Sequence, residues 1–178
     1  MAKTSTTKEL EKALSVATSK IGTFGCCEVT IGDERVDYMT VDAKGIWRCF
    51  EIKCSVSDFY SKAKKTFIGH YNYFVLTEEL YEKVKVDIPK HIGVYVGEKH
   101  IWCVKKARKQ SLKVENEILT ISMIRSLARD ANKLYISGND AAINNYKRTI
   151  SQQVEEIRRL KNDLYYANLE LTFARRHG

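Results

Sequence analysis

The sequence predicts an α/β domain on a mixed β-sheet, followed by a helical extension. Three observations predict it. Short, turn-bounded runs rich in β-branched and aromatic residues alternate apolar and polar positions, the mark of strands with one face buried. The elements succeed one another as helix, three strands, helix, strand, helix, two strands, which suits a sheet covered by helices. From about residue 114 the period turns helical and stays so to the end.

Ser5 to Ile21 reads as a helix, with Leu10, Ala13, Leu14 and Ala17 on one stripe, Ser5 or Thr6 as cap and Gly22 beyond its end. Three strands follow as a meander: Gly25–Ile31, Arg35–Val41 and Ile46–Lys53, joined by turns at Gly32-Asp33-Glu34 and Asp42-Ala43-Lys44-Gly45. Ser55 and Asp58 have capping-box spacing before a helix from Val56 to about Thr66. Tyr71–Leu76 is an aromatic-rich strand, Glu78–Val86 a short helix closed by Pro89, and Ile92–Val96 with His100–Val104 a last strand pair around Gly97.

The extension begins with a helix whose apolar face is expected at Ile118, Ile121, Ile124 and Leu127, continued by Leu134 and Tyr135. Ser137-Gly138-Asn139-Asp140 breaks it. The last helix repeats every seven residues at Ile143, Ile150, Ile157, Leu164 and Leu171, with Tyr146, Gln153, Leu160 and Ala167 in the second apolar position. That spacing makes a coiled-coil seam, whose partner is the preceding helix, a second copy or another protein. The expected units are residues 1–104, the α/β domain, and 105–178, a basic helical extension with its heptads over 143–171.

Composition narrows the function. The chain of 178 residues is 44% hydrophobic, enough for a real core, and has one proline and no Gly/Ser-rich tract. No apolar run reaches bilayer length and the N-terminus lacks a signal-peptide core, so a cytoplasmic protein with no membrane partner is expected. Five cysteines, an odd number without a C-x-x-C pair, argue for reduced thiols rather than a disulfide framework or a zinc ribbon. The net charge of +8 falls mostly on residues 104–178, which hold 15 Lys/Arg against 8 Asp/Glu. An anionic partner, nucleic acid first, and a merely solvated helical surface account for that charge equally well. P-loop, G-x-G-x-x-G, G-x-S-x-G and HExxH motifs are all absent from the sequence.

One constellation carries chemistry. Residues two apart in a strand share a face, so Glu51 and Lys53 project together while Phe50 and Ile52 face a core. Asp37 lies on the adjacent expected strand. Two carboxylates can hold Mg²⁺ or Mn²⁺ through hard oxygen ligands, the Ile52 carbonyl can complete the shell, and a lysine beside them can orient water or stabilise phosphate charge. The competing account is an exposed acid and a Glu–Lys pair on a solvated sheet face.

Val36-Asp37, 13 residues, then Glu51-Ile52-Lys53 resembles the PD-(D/E)XK nuclease motif. The longer string Cys27-Glu28-Val29, Arg35-Val36-Asp37, Phe50-Glu51-Ile52-Lys53, Ser55 and Ser57-Asp58-Phe59 is similar to the MmcB-like DNA repair branch of that superfamily, which has relatives in phages and mobile elements. The resemblance spans about Glu28 to Val96, and Val36 stands in place of the motif's proline. It implies a restriction-endonuclease-like core, a central mixed β-sheet flanked by helices, with the helical hairpin or coiled coil appended. It implies catalytic residues Asp37, Glu51 and Lys53, with Asp37 and Glu51 on the metal, Glu28 as a possible additional acid, and Glu9 or Glu11 as a first-helix acid.

Lys62, Lys64, Lys65 and His70 are candidate nucleic-acid contacts, against a charged outer helix face and a satisfied turn histidine. Asp58 is expected to cap its helix rather than serve the site. The expected function is a metal-dependent DNA nuclease of repair, recombination or phage DNA processing, in the host cytoplasm if phage-encoded. Its rivals are a non-catalytic DNA-binding accessory protein and a coiled-coil adaptor that forms a homodimer or binds a partner through the last helix.

Overall fold

The computed structural model describes residues 4–61 and 65–177; the side chains of residues 142, 157, 164 and 168–177 also lie outside the description. Lys62, Lys64 and the heptad side chains of Ile157, Leu164 and Leu171 thus lie outside the described residues. Six strands form one sheet in the order β1-β2-β3-β4-β5-β6. They are β1 Thr23–Ile31, β2 Glu34–Asp42, β3 Trp47–Lys53, β4 Tyr71–Leu76, β5 Gly93–Gly97 and β6 Ile101–Lys105. The pairs β3–β4 and β4–β5 are parallel and the others antiparallel, so the sheet is mixed. The helices are α1 Ser5–Thr18, α2 Val56–Phe59, α3 Glu78–Val84, α4 Asn116–Ile136 and α5 Asp140–His177.

The meander turns are built from local chemistry. Gly32 (φ 58°) and Gly45 (φ 74°) take the left-handed conformation that the two tight reversals need. Asp42 accepts the Lys44 and Ile46 N–H groups at 3.0 Å each, so the second turn caps itself.

Alternation along β3 then sorts residues to two faces. Phe50 and Ile52 pack with Leu10 and Leu14 of α1 and with Tyr38 and Val75. On the other face Trp47 and Cys49 pack with Met39, Val29, Leu119 and Met123 beneath α4, and further along the sheet Phe74, Leu76 and Val94 pack with Phe59 of α2 and Leu80 and Val84 of α3. Glu51 and Lys53 follow Cys49 on that second face, so they come out where the α4 layer gives way to the α2–α3 layer.

Two expectations are corrected. The helix expected to run to Thr66 ends at Phe59. Phe59 is the one apolar side chain it buries, too little to hold a longer helix, and the Thr66 N–H is instead given to Glu51. Of the expected apolar face of α4, Leu127 packs against the core but the three isoleucines do not. Leu119, Ser122, Met123 and Ser126 are buried, whereas Ile118, Ile121 and Ile124 are 46%, 50% and 58% exposed. Two serines on the buried face let the helix lie close to β1. Core packing therefore draws on residues from both sides of position 104, since Leu119 and Met123 share a cluster with Val29 and Met39.

Candidate active site

The site is built at the open end of the β2–β3 ladder. Pairing between these strands stops at Tyr38↔Phe50. Continued register would give the next inward-facing N–H, that of Ile52, to the Val36 carbonyl. The Asp37 carboxylate takes it instead, with Oδ2 accepting from the Ile52 N–H at 2.9 Å. In an extended strand the N–H and C=O of one residue point to the same edge. The Ile52 carbonyl therefore faces the edge on which Asp37 sits.

Glu51 is 3% exposed and Lys53 7% exposed, unusual burial for charged residues that marks either pairing or function. Glu51 Oε1 accepts the Thr66 N–H at 3.1 Å. Lys53 Nζ lies 3.9 Å from Glu51 Oε2 and 3.5 Å from Asp58 Oδ1. Burial, and next the Asp37 carboxylate, push the Glu51 carboxyl from its ordinary 4.5 up to about 7; the Thr66 N–H, Lys53 and Lys65 oppose that rise. The Asp37 charge thus raises the Glu51 carboxyl's pKa against the pull of Lys53 and Lys65.

Asp58 does two jobs. Its N–H donates to the Ser55 hydroxyl, which caps α2, while its carboxylate faces Lys53. Sequence reading favours the cap over a site role; the cap is present, and the contact with Lys53 stands beside it.

Glu28 sits beside Asp37 in the β1–β2 register, between the pairs Cys27↔Tyr38 and Val29↔Val36. It is the one described non-glycine residue with positive φ, at 52°. Arg129 of α4 grips this bend, donating to the Cys27 and Glu28 carbonyls at 3.1 Å each. The Glu28 carboxylate lies 3.7 Å from Arg35.

The remaining candidates divide. Lys65 is half-buried, acts on Glu51 and donates to the Ser61 carbonyl at 3.2 Å. His70 is elsewhere: its Nδ1 accepts the Trp47 N–H at 3.0 Å at the far end of β3, and burial lowers its pKa. α1 sends Leu10 and Leu14 to the sheet face opposite Glu51, with Glu11 half-buried and Glu9 exposed. Thr66 and Arg129 were missed by sequence reasoning. No local pattern signals either, because both reach the site from distant segments through backbone contacts.

Among the described residues, no group of three or more His, Cys, Asp or Glu side chains is placed to hold a metal ion. The donor set on offer is smaller: two mutually repelling carboxylates and a carbonyl on the same strand edge. That set suits a hard cation that keeps several of its waters, as Mg²⁺ does.

No family model and no curated protein matches the chain. A solved structure, a protein of unknown function from Silicibacter pomeroyi, superposes with a TM-score of 0.59 at 19% identity, covering 79% of this chain and 96% of that one. At that identity the likeness shows the fold alone: a mixed six-stranded sheet with flanking helices. Among the described residues, no helix is long and apolar enough to cross a membrane.

Proposed function

We propose that this chain is a metal-dependent DNA nuclease with a restriction-endonuclease-like core, and that Asp37, Glu51 and Lys53 form its active site. One observation carries the reading. A buried acid, a second acid anchored to the intervening backbone N–H, and a buried ammonium group meet at the open end of one strand pair. A solvated sheet face would not bury Glu51 and Lys53, so the bland account of the E-x-K triplet loses its main support.

Asp37, Glu51 and the Ile52 carbonyl would hold Mg²⁺ or Mn²⁺, and the ion when bound supplies Lewis acidity to a phosphodiester. The protein residues do the rest. The Ile52 N–H fixes the Asp37 carboxylate, and the Thr66 N–H fixes that of Glu51. Asp58 holds the Lys53 ammonium at the rim, where it can stabilise charge growing on phosphate oxygens or orient water. The basic stretch Lys106, Arg108, Lys109 and Lys113 between β6 and α4 offers positive charge for a nucleic-acid backbone.

The test is cleavage of plasmid DNA with Mg²⁺ or Mn²⁺. Wild type is expected to nick or linearise it, and Lys53→Ala and Asp37→Ala to lower the rate roughly a hundredfold or more. A wild type that binds DNA in a salt-sensitive way yet cuts none with either metal would overturn catalysis and favour the accessory role.

A further inference from the structure

We propose that the distal half of α5 pairs with the same segment of a second copy as a parallel, in-register two-stranded coiled coil. α5 has 38 residues and α4 has 21, so at a 1.5 Å rise α5 runs about 57 Å and α4 only about 32 Å. Among the described residues, α5 lines the groove of about 830 Å³ between α4, β1 and α5 with Asn145, Tyr146, Thr149, Ile150 and Gln153. Gln153 is also where α5 is tied to the sheet, its Nε2 donating to the Thr23 carbonyl at 3.1 Å. The α5 helix continues from there to His177.

The seven-residue repeat does not stop at Gln153. Ile157, Leu164 and Leu171 continue the first apolar position, and Leu160, Ala167 and Ala174 the second. A strict 3.5-residue period over these turns fits a supercoiled partner, not a lone solvated helix. Of the described seam residues, Ile150 is 48% and Leu160 37% exposed, and Val154 beside them is 51% exposed.

Charge selects the occupant and its direction. The positions flanking the seam on one side are Lys147, Val154, Lys161, Asn168 and Arg175, without an acid. On the other side they are Thr149, Glu156, Asp163, Glu170 and His177, without a lysine or arginine. In a parallel in-register pair each residue of the second set meets the residue five further on in the other copy. Glu156 then meets Lys161 of the second copy, and Glu170 meets Arg175. In an antiparallel pair of identical helices, acids would face acids and bases would face bases. In the monomer Glu156 Oε1 accepts from Arg159 at 2.7 Å, and Lys161 of the second copy would approach its other oxygen.

Sedimentation equilibrium of the full chain tests the proposal. Wild type is expected to be dimeric at micromolar concentration. Lys161→Glu sets two acidic pairs against each other by symmetry and should raise the dissociation constant about tenfold. Adding Glu156→Lys to it should restore the dimer. In a Cys103→Ser background, Ala174→Cys should crosslink the two copies under mild oxidation, since only parallel register brings position 174 to its own counterpart. A monomeric wild type overturns the proposal. So does a dimer that ignores Lys161→Glu and fails to crosslink, for its interface then lies elsewhere.

Discussion

Glu51 is held under two opposed demands. Its carboxyl is buried beside Asp37, which raises its pKa to about 7 in the folded chain against an ordinary 4.5. A raised folded value means that the protonated form favours folding. That contribution is whole below pH 4.5 and is lost as pH rises through 7. The difference corresponds to about 3 kcal/mol. In metal-free buffer Glu51→Gln is therefore expected to stabilise the chain by up to about 3 kcal/mol at pH 8 and to change little at pH 4, read from urea unfolding at the two pH values. Equal destabilisation at both would show that Glu51 is not carrying an uncompensated charge. The same variant should be inactive, the trade expected of a site built for a ligand rather than for stability. At this scale the sequence was informative about Glu51 and Lys53, because period two alone puts them on one face. It said little about Thr66, which fixes Glu51, or about Arg129, which holds the bend at Glu28. Those contacts link residues 15 and 101 positions apart, and no local pattern encodes them.

The elements differ in how much of them the sequence discloses. All six strands were legible to within two residues at either end, since turn residues and alternation mark both ends. Helix α2 was overdrawn because a capping signal marks where a helix begins and carries no information about its length. Helix α4 was placed correctly and its Leu127 packs on the core as expected, but its isoleucines stay outside. Its isoleucines, Ile118, Ile121 and Ile124, form the more apolar stripe, yet the face with Ser122 and Ser126 goes inward. Tertiary fit against β1 overrode the local pattern there. The two faces give a clean comparison by equilibrium denaturation. Leu119→Ala removes a side chain with 0% exposure and is expected to cost about 2–5 kcal/mol. Ile121→Ala, at a position 50% exposed, should change stability by about 0.5 kcal/mol or less. The reverse ranking would mean that α4 docks through its isoleucine face.

Across the whole molecule, the mixed sheet places the parallel strands β3, β4 and β5 at its centre and lets β2 peel away from β3 at one end. That parting is what admits the Asp37 carboxylate to the Ile52 N–H. Charge is distributed in step with this plan: nearly neutral through β6, then basic through the linker and the last helices. A dimer joined through α5 would pair two such sites around a twofold axis. All of this presumes that the open end of the β2–β3 pair is a cation site, and calorimetric titration with Mn²⁺ tests that presumption most directly. The wild-type chain is expected to bind one Mn²⁺ ion, and Asp37→Asn and Glu51→Gln each to abolish the heat of binding while the chain stays folded. Undiminished Mn²⁺ binding by both variants, or none by the wild type, would contradict the account.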